Sequence, residues 1–464
     1  MGAPTSTTRS SVDRLAEHQL AGSTAHRVRG VLAIAAFRRL WGVTALTATA
    51  EWLSLLALSA LATQLTTGYQ AQSFALGGVV ATKLLPALVL GPLAGALADK
   101  LDRRHVMVVC DVLRAGLFLS IPLVGELAWL FVATFLIEVC AMFWIPAKDA
   151  SIPNLLRRPD QVETANQLAL IMTYGVAVLV ASGVFTALSK LSPDATADLA
   201  LTINGIAYAC CALVVAIRIP EISGRAVTRG RAQPGLLSML RDGVVFVRGT
   251  PLVRGLVTGI IGAFAAGGAV IACAKLYATS LGGGDAAYGL LFASLFVGLG
   301  LGLALAPVAA RRIRHPRLFG RAIVGAGLAL VTVALAPHLF AALAAVILVG
   351  AAAGAAFLTG LTIIGAQVAD EMRGRTIAFV QSLVRLVLLA SMALVPLAVG
   401  LVQQRTLTLF GEPVTIDGTR PVLLCAGLLT ATIGLAAHRQ MDDRLDRSLL
   451  GDLRAAPRPP GGRG

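Results

Sequence analysis

The sequence predicts an all-α integral membrane protein of twelve transmembrane helices in two pseudo-symmetric six-helix halves, and three observations predict it. Of 464 residues, 56% are hydrophobic and only 14% are charged, too few polar groups to cover a water-soluble globule. A membrane span needs about 20 apolar residues, so this apolar pool fills about a dozen spans joined by short loops. Third, the basic residues recur at alternate connections. They fall at Arg27 to Arg39, Lys100 to Arg104, Arg157 and Arg158, Arg225 to Arg254, Arg311 to Arg321, Arg373 and Arg375, and from Arg439 onward. The intervening connections hold little beyond Lys190, Lys275, Arg405 and Arg420. This alternation is the positive-inside pattern of an even number of spans with both termini in the cytoplasm. The net charge of +15 therefore reports topology and implies no nucleic-acid partner.

Hydropathy windows of about 19 residues place the elements in order. The first six spans lie near 39–64, 72–98, 105–124, 128–146, 166–189 and 199–219, and the second six near 253–278, 286–309, 319–337, 339–363, 376–402 and 420–437. The glycines at 298, 300 and 302 suit a close helix-packing seam. Residues 222–250 form a polar, Arg-rich linker between a bundle at 37–221 and a bundle at 251–440. Cytoplasmic tails are expected at 1–36 and 441–464. Within the linker, LLSMLRDGVVFVR has the apolar spacing of a short amphipathic helix at the inner membrane surface. The connection after the second span, GALADKLDRRHVM, occupies the same place in its half as APVAARRIRHPRL after the eighth. Two repeated halves with a substrate path between them follow.

A charge at a helix centre costs about 2.5–3.5 kcal/mol, so intramembrane ionisable residues mark where function is to be sought. Glu51 and Lys83 lie half-way along adjacent antiparallel spans, at similar depth. Thr44, Thr47, Glu51 and Ser54 share one helical face. Glu51 reads either as a proton or substrate-cation site or as half of a buried structural ion pair. Glu138, one turn after Thr134, is a second carboxylate that either titrates or sits passively beside a cavity. Arg385, one turn after Gln381, either attracts an anionic substrate group or snorkels to the inner surface. Thr173, Tyr174, Asn204 and Gln367 add hydrogen-bonding groups that line a cavity or bond neighbouring helices.

Several functions are excluded or given no support. No GxxxxGK loop, HExxH or GxSxG occurs, so the chain offers neither an ATP-driven motor nor a hydrolytic constellation, and no enzyme is expected. The six cysteines fall within apolar runs and the six histidines at or beyond span ends. No disulfide framework, metal site or cofactor is expected. The first twenty residues contain no apolar core of a secretory signal.

The stretch Gly95-Ala-Leu-Ala-Asp99-Lys100-Leu-Asp102-Arg103-Arg104 resembles the signature loop of the major facilitator superfamily, with Asp102 in place of the final glycine. That replacement is familiar in the branch similar to macrolide and enterobactin-type siderophore exporters. Phe37 to Trp41, Glu51-Trp52, Asp111 and Arg114, Pro146-Ala147-Lys148, Ile152-Pro153, Asn204 and Gln367 to Arg375 resemble the same branch. The resemblance implies the major facilitator fold, alternating access, and a cytoplasmic latch to which Asp99, Arg103 and Arg104 belong. Gly95, Lys100, Asp102, Asp111 and Arg114 are the further motif positions assigned to it. The resemblance covers Phe37 to about His438. One departure stands out: the fifth span, LIMTYGVAVLVASGVFTAL, has Gly175 and Gly183 but lacks the glycine-proline motif of many family antiporters.

The expectation is a bacterial inner-membrane exporter, driven by the proton gradient, for a small amphipathic compound such as an antibiotic, another secondary metabolite or a siderophore. Its partners are that small molecule, protons and membrane lipid. The alternatives are a nutrient uptake carrier and a transport-inactive membrane scaffold or sensor.

Overall fold

The computed structural model describes residues 26–98, 101–156, 158–223, 251–367, 370–402, 405–409 and 412–455. Hydrocarbon offers no partner for backbone N–H and C=O groups, so each apolar run satisfies its own as a helix. The first half contains α1 (Ala35–Gln64), α2 (Tyr69–Ala98), α3 (Arg103–Val124), α4 (Leu127–Leu155), α5 (Pro159–Ile171), α6 (Ala177–Leu191) and α7 (Thr196–Arg218). A π turn, Met172–Val176, joins α5 and α6 into one span. The second half contains α8 (Pro251–Ser280), α9 (Gly284–Ala310), α10 (His315–Leu335), α11 (Leu339–Gln367), α12 (Asp370–Leu401) and α13 (Thr419–Ala455). Among the described residues, ten spans are long and apolar enough to cross a membrane. The 30-residue α2 and 32-residue α12 complete the expected twelve.

Three local features differ from expectation. Residues 26–32 are helical and Val31 is buried with Phe37 and Leu40, so part of the expected N-terminal tail packs on the first half. The last helix runs on to Ala455, past the boundary expected at 440. Among the described residues the chain is all-α as expected apart from one short hairpin between α12 and α13, in which β1 (Arg405–Leu409) pairs antiparallel with β2 (Glu412–Ile416). Alternating threonine, leucine and valine in RTLTL and EPVTI favour extended chain once the apolar run ends. The amphipathic helix expected within 222–250 lies outside the described residues.

Glycine sets how closely the second half packs. Gly298 and Gly302 of α9 lie against the backbone of Ile347 and Ala351 in α11, while Gly350 and Gly354 of α11 lie against Leu295 and Leu299. A Cβ at any of these four positions would overlap a backbone carbonyl oxygen. Gly300, which points away, would meet nothing within 4 Å. Small residues that let helix backbones approach are the main source of association in lipid, where no hydrophobic driving force remains. Gly302→Val is therefore expected to destabilise the protein by about 1–3 kcal/mol, the usual cost of overpacking. Gly300→Val should be silent, and thermal unfolding of the two variants in detergent checks this.

The buried core shows how the halves meet. A single apolar cluster spans both halves at the end away from the linker, drawing on Leu56 to Ala62, Phe185, Tyr288, Phe292, Val399 and Leu423. There Phe185 meets Tyr288 edge-on at 6.1 Å, Gly77 packs on Pro396, Gly400 on Phe74, and Gly289 on Thr186. At the linker end the buried residues divide into a separate cluster in the first half and two smaller ones in the second. Among the described residues the apolar cluster shared by both halves lies at one end, and the clusters at the other end each belong to one half.

Candidate functional site

Five residues from five helices converge at mid-depth in the first half. Glu51 lies 13 residues from the end of α1 and Lys83 lies 14 from the start of α2, which at 1.5 Å per residue puts both about 20 Å from the joined end. Arg114 of α3, Glu138 of α4 and Tyr208 of α7 are each ten to twelve residues from the same end of their helices, at a similar level. The register of α3 is fixed at both ends. Asp102 accepts a hydrogen bond from His105 N at 3.1 Å as the N-cap, and Gly125 closes the helix at φ 67°, a left-handed conformation that favours glycine.

Arg114 Nη2 donates to Glu51 Oε2 at 2.7 Å, and Tyr208 Oη donates to the same oxygen at 2.8 Å. The Arg114 guanidinium also lies 4.2 Å from the Tyr208 ring centroid, and Tyr208 stacks on Phe118 with centroids 5.4 Å apart. Lys83 Nζ bonds Glu138 Oε1 and reaches Ser54 Oγ at 3.4 Å, but stands 4.0 Å from Glu51 Oε1. Lys83 is therefore first a partner of Glu138, and the Glu51–Lys83 pairing expected from depth is the looser contact. Arg114 is 2% exposed and Lys83 and Glu138 are 14% exposed, whereas the Glu51 side chain remains 35% exposed. Its Oε1 has no hydrogen-bond donor within the cluster, so Glu51 can accept from a further donor without giving up Arg114.

The other candidates divide. Ser54 joins the cluster, and its hydroxyl donates to Glu51 O at 2.7 Å. Thr44 is buried and bonds Leu40 O, and buried Thr47 lies 3.6 Å from Cys211 Sγ, so neither shares the open side of Glu51. Asn204 is fully buried, with neither side-chain atom hydrogen-bonded. Arg104 donates to the carbonyls of Val215 and Ala216 at the end of α7, and Asp102 accepts from Ser223 Oγ at 2.7 Å. Both contacts stay within the first half. Arg103 is buried. Asp111 is fully buried eight residues into α3. Gly95 lies in α2. Asp99 and Lys100 lie outside the described residues, as do the side chains of Gln367, Gln381 and Arg385.

Thr173 and Tyr174 belong to the π turn, in the span that lacks the glycine-proline motif. A π turn disturbs the regular i to i−4 pairing and leaves carbonyls open to other donors. Trp52 Nε1 donates to Thr173 O at 2.7 Å. The Trp52 ring meets Tyr174 edge-on at 6.4 Å, and reaches Phe292 at 5.8 Å and Phe296 at 5.1 Å on α9 of the other half. The residue next to Glu51 thus touches both the irregular span and the opposite bundle.

Sequence reasoning did not find Arg114 as the partner of Glu51, nor Tyr208 as its donor. Arg114 carries the signal that could have found it, a cation at the centre of an apolar span. Lys275, counted as a loop charge, is instead buried and paired with Asp285, 5.9 Å from the Tyr288 ring centroid.

Comparison with known proteins agrees with this architecture. The family model described as Major Facilitator Superfamily matches residues 40–392. "Uncharacterized MFS-type transporter YfiS" of Bacillus subtilis (strain 168) is 32% identical over 106 residues, 23% of this chain and 24% of YfiS. "Putative bacilysin exporter BacE" of Bacillus amyloliquefaciens is 29% identical over 141 residues, 30% of this chain and 34% of BacE. The matches thus span about a quarter to a third of these relatives' length. Among solved structures, nucleoside transporter NupG superposes with a TM-score of 0.66 at 14% identity, covering 87% of this chain and 98% of NupG. A bacterial homologue of the human lysosomal transporter Spinster, inward-facing and unoccupied, gives 0.63 at 14% identity, covering 90% and 98%. At these identities the two structures show the shared fold alone.

Proposed function

The chain belongs to the major facilitator superfamily, and on that premise we propose that it exports a small amphipathic compound across a bacterial inner membrane in exchange for protons. The compound class is an antibiotic, another secondary metabolite or a siderophore. The observation that carries this reading is the mid-membrane ion cluster of the first half, in which one carboxylate, Glu51, stays open to a further donor. Well-packed apolar residues often replace buried ion pairs without loss of stability, and ionisable residues inside a membrane bundle mark function by default. A carboxylate held between two cations can exchange a proton for a donor group on a substrate, which is what antiport requires. The partial similarity to BacE supports export.

In this reading the linker end is cytoplasmic, as are both termini, because the basic connections lie at that end. The cluster would then open to the cytoplasm at the linker end, while the aromatic seam of Phe185, Tyr288 and Phe292 closes the outer side. Substrate would load from the cytoplasm as the proton leaves. Asp99, Arg103 and Arg104 would draw the halves together on the inner side in the opposite state.

Direction is the first test. Energised inside-out vesicles containing the protein are expected to accumulate a compound from a panel of antibiotics, dyes and siderophores in the lumen, and to lose it when the gradient collapses. Gradient-driven depletion of compound from the lumen would instead establish uptake.

A further inference from the structure

Asp111 is a buried charged group of the first half that the export reading leaves unused, and no hydrogen bond of ordinary geometry holds it. It is 0% exposed. Neither of its carboxylate oxygens completes a hydrogen bond of ordinary geometry, and nor does Trp144 Nε1; Trp144 across the α3–α4 seam and Arg114 on its own helix are the polar groups nearest to pairing with it. The groups that face it are Cys110 and Arg114 on its own helix, Cys140 and Trp144 on α4, and Tyr208 and Cys211 on α7. Arg114 is the one cation among them. Its Nη2 is engaged by Glu51 at 2.7 Å and its planar group lies over Tyr208.

Formal charge points the same way. Among the described residues at mid-depth in this half, the three carboxylates Glu51, Asp111 and Glu138 face the two cations Lys83 and Arg114. One negative charge is left over unless one acid carries a proton. Glu51 has Arg114, Tyr208 and Lys83, and Glu138 has Lys83. Of the three acids, Asp111 is the one without a completed hydrogen bond or ion pair, so its charge is the most costly to keep buried.

We propose that Asp111 is a proton-binding site, protonated in the conformation described here, and that its ionisation draws Arg114 away from Glu51. The proposal rests on the reading of the ion cluster as the coupling site. Asp111 and Arg114 are three residues apart on one face of α3, within reach of each other. When the Asp111 O–H bond breaks, the proton leaves toward the linker end and the electron pair stays on the carboxylate. That carboxylate then competes with Glu51 for the guanidinium. Glu51 gives up Arg114 and, still bonded by Tyr208, offers more of its carboxylate to a donor on the incoming substrate. Rebinding of a proton reverses the exchange, so one proton sets whether Glu51 is held or free.

The test needs no substrate. Full-length protein in lipid nanodiscs is titrated and followed by difference infrared spectroscopy in the carboxylic-acid C=O region, with Asp111→Asn, Asp111→Glu and Glu138→Gln beside the wild type. The expected result is a titrating carboxylic-acid band in wild type that is lost in Asp111→Asn, shifted in Asp111→Glu and kept in Glu138→Gln. Should Asp111→Asn fail to fold, the shifted band of Asp111→Glu decides. No such band in wild type, or one unmoved by the Asp111 variants, would overturn the proposal. Failure of the export reading would appear separately, as absent compound movement in the vesicle assay.

Discussion

Arg114→Met is expected to be among the most damaging single substitutions in the protein. Arg114 is 2% exposed and holds Glu51 Oε2 at 2.7 Å beneath the Tyr208 ring. Removing one member of a buried pair leaves the other charge uncompensated, which costs about 3–5 kcal/mol. The lower end of that range applies because the Glu51 side chain is 35% exposed and Lys83 stands near it. Adding Glu51→Gln should restore most of the lost stability, because the stranded charge is gone. A double-mutant cycle read by thermal unfolding in detergent measures this coupling. Full additivity of the two substitutions would show that they do not interact.

The second large effect is expected at Lys83. Its ammonium bonds Glu138 and Ser54 but lies 4.0 Å from Glu51, so Lys83→Met strands Glu138 and leaves Glu51 with Arg114 and Tyr208. The expected loss is again about 3–5 kcal/mol. The rescue should be selective: Glu138→Gln restores stability to Lys83→Met, whereas Glu51→Gln does so only weakly. Equal rescue by both would mean that Lys83 is shared evenly between the two acids.

Span number and the two-half fold were legible because hydrocarbon forces each apolar run into a helix. Depth along antiparallel spans also brought Glu51 and Lys83 to one level correctly. Depth alone does not say which helices touch. Glu51 meets α3 and α7 through Arg114 and Tyr208, while Lys83 faces α4 through Glu138, and those pairings depend on how six helices pack laterally. The glycines of α9 show the same limit. Their spacing announced a seam, but only the packing against Ile347 and Ala351 separates Gly298 and Gly302 from the unopposed Gly300.

The irregular elements were hidden for a different reason. Nothing in MTYGV requires a π turn, whose support comes from Trp52 on another helix donating to Thr173 O. The hairpin of Arg405–Leu409 and Glu412–Ile416 is short, and its alternation is masked by the long apolar helices on either side. Lys275 looked like a loop charge because it lies near the end of α8. Its burial depends on Asp285 in the next helix.

In the proposed export cycle, the ion cluster around Glu51 couples proton movement to export. The most direct test records proton release from the lumen of energised inside-out vesicles with a pH dye as the compound panel is added, wild type beside Glu51→Gln. Compound-specific release in wild type and none in folded Glu51→Gln is the predicted result. Equal release from both would contradict the account and remove Glu51 from the coupling step.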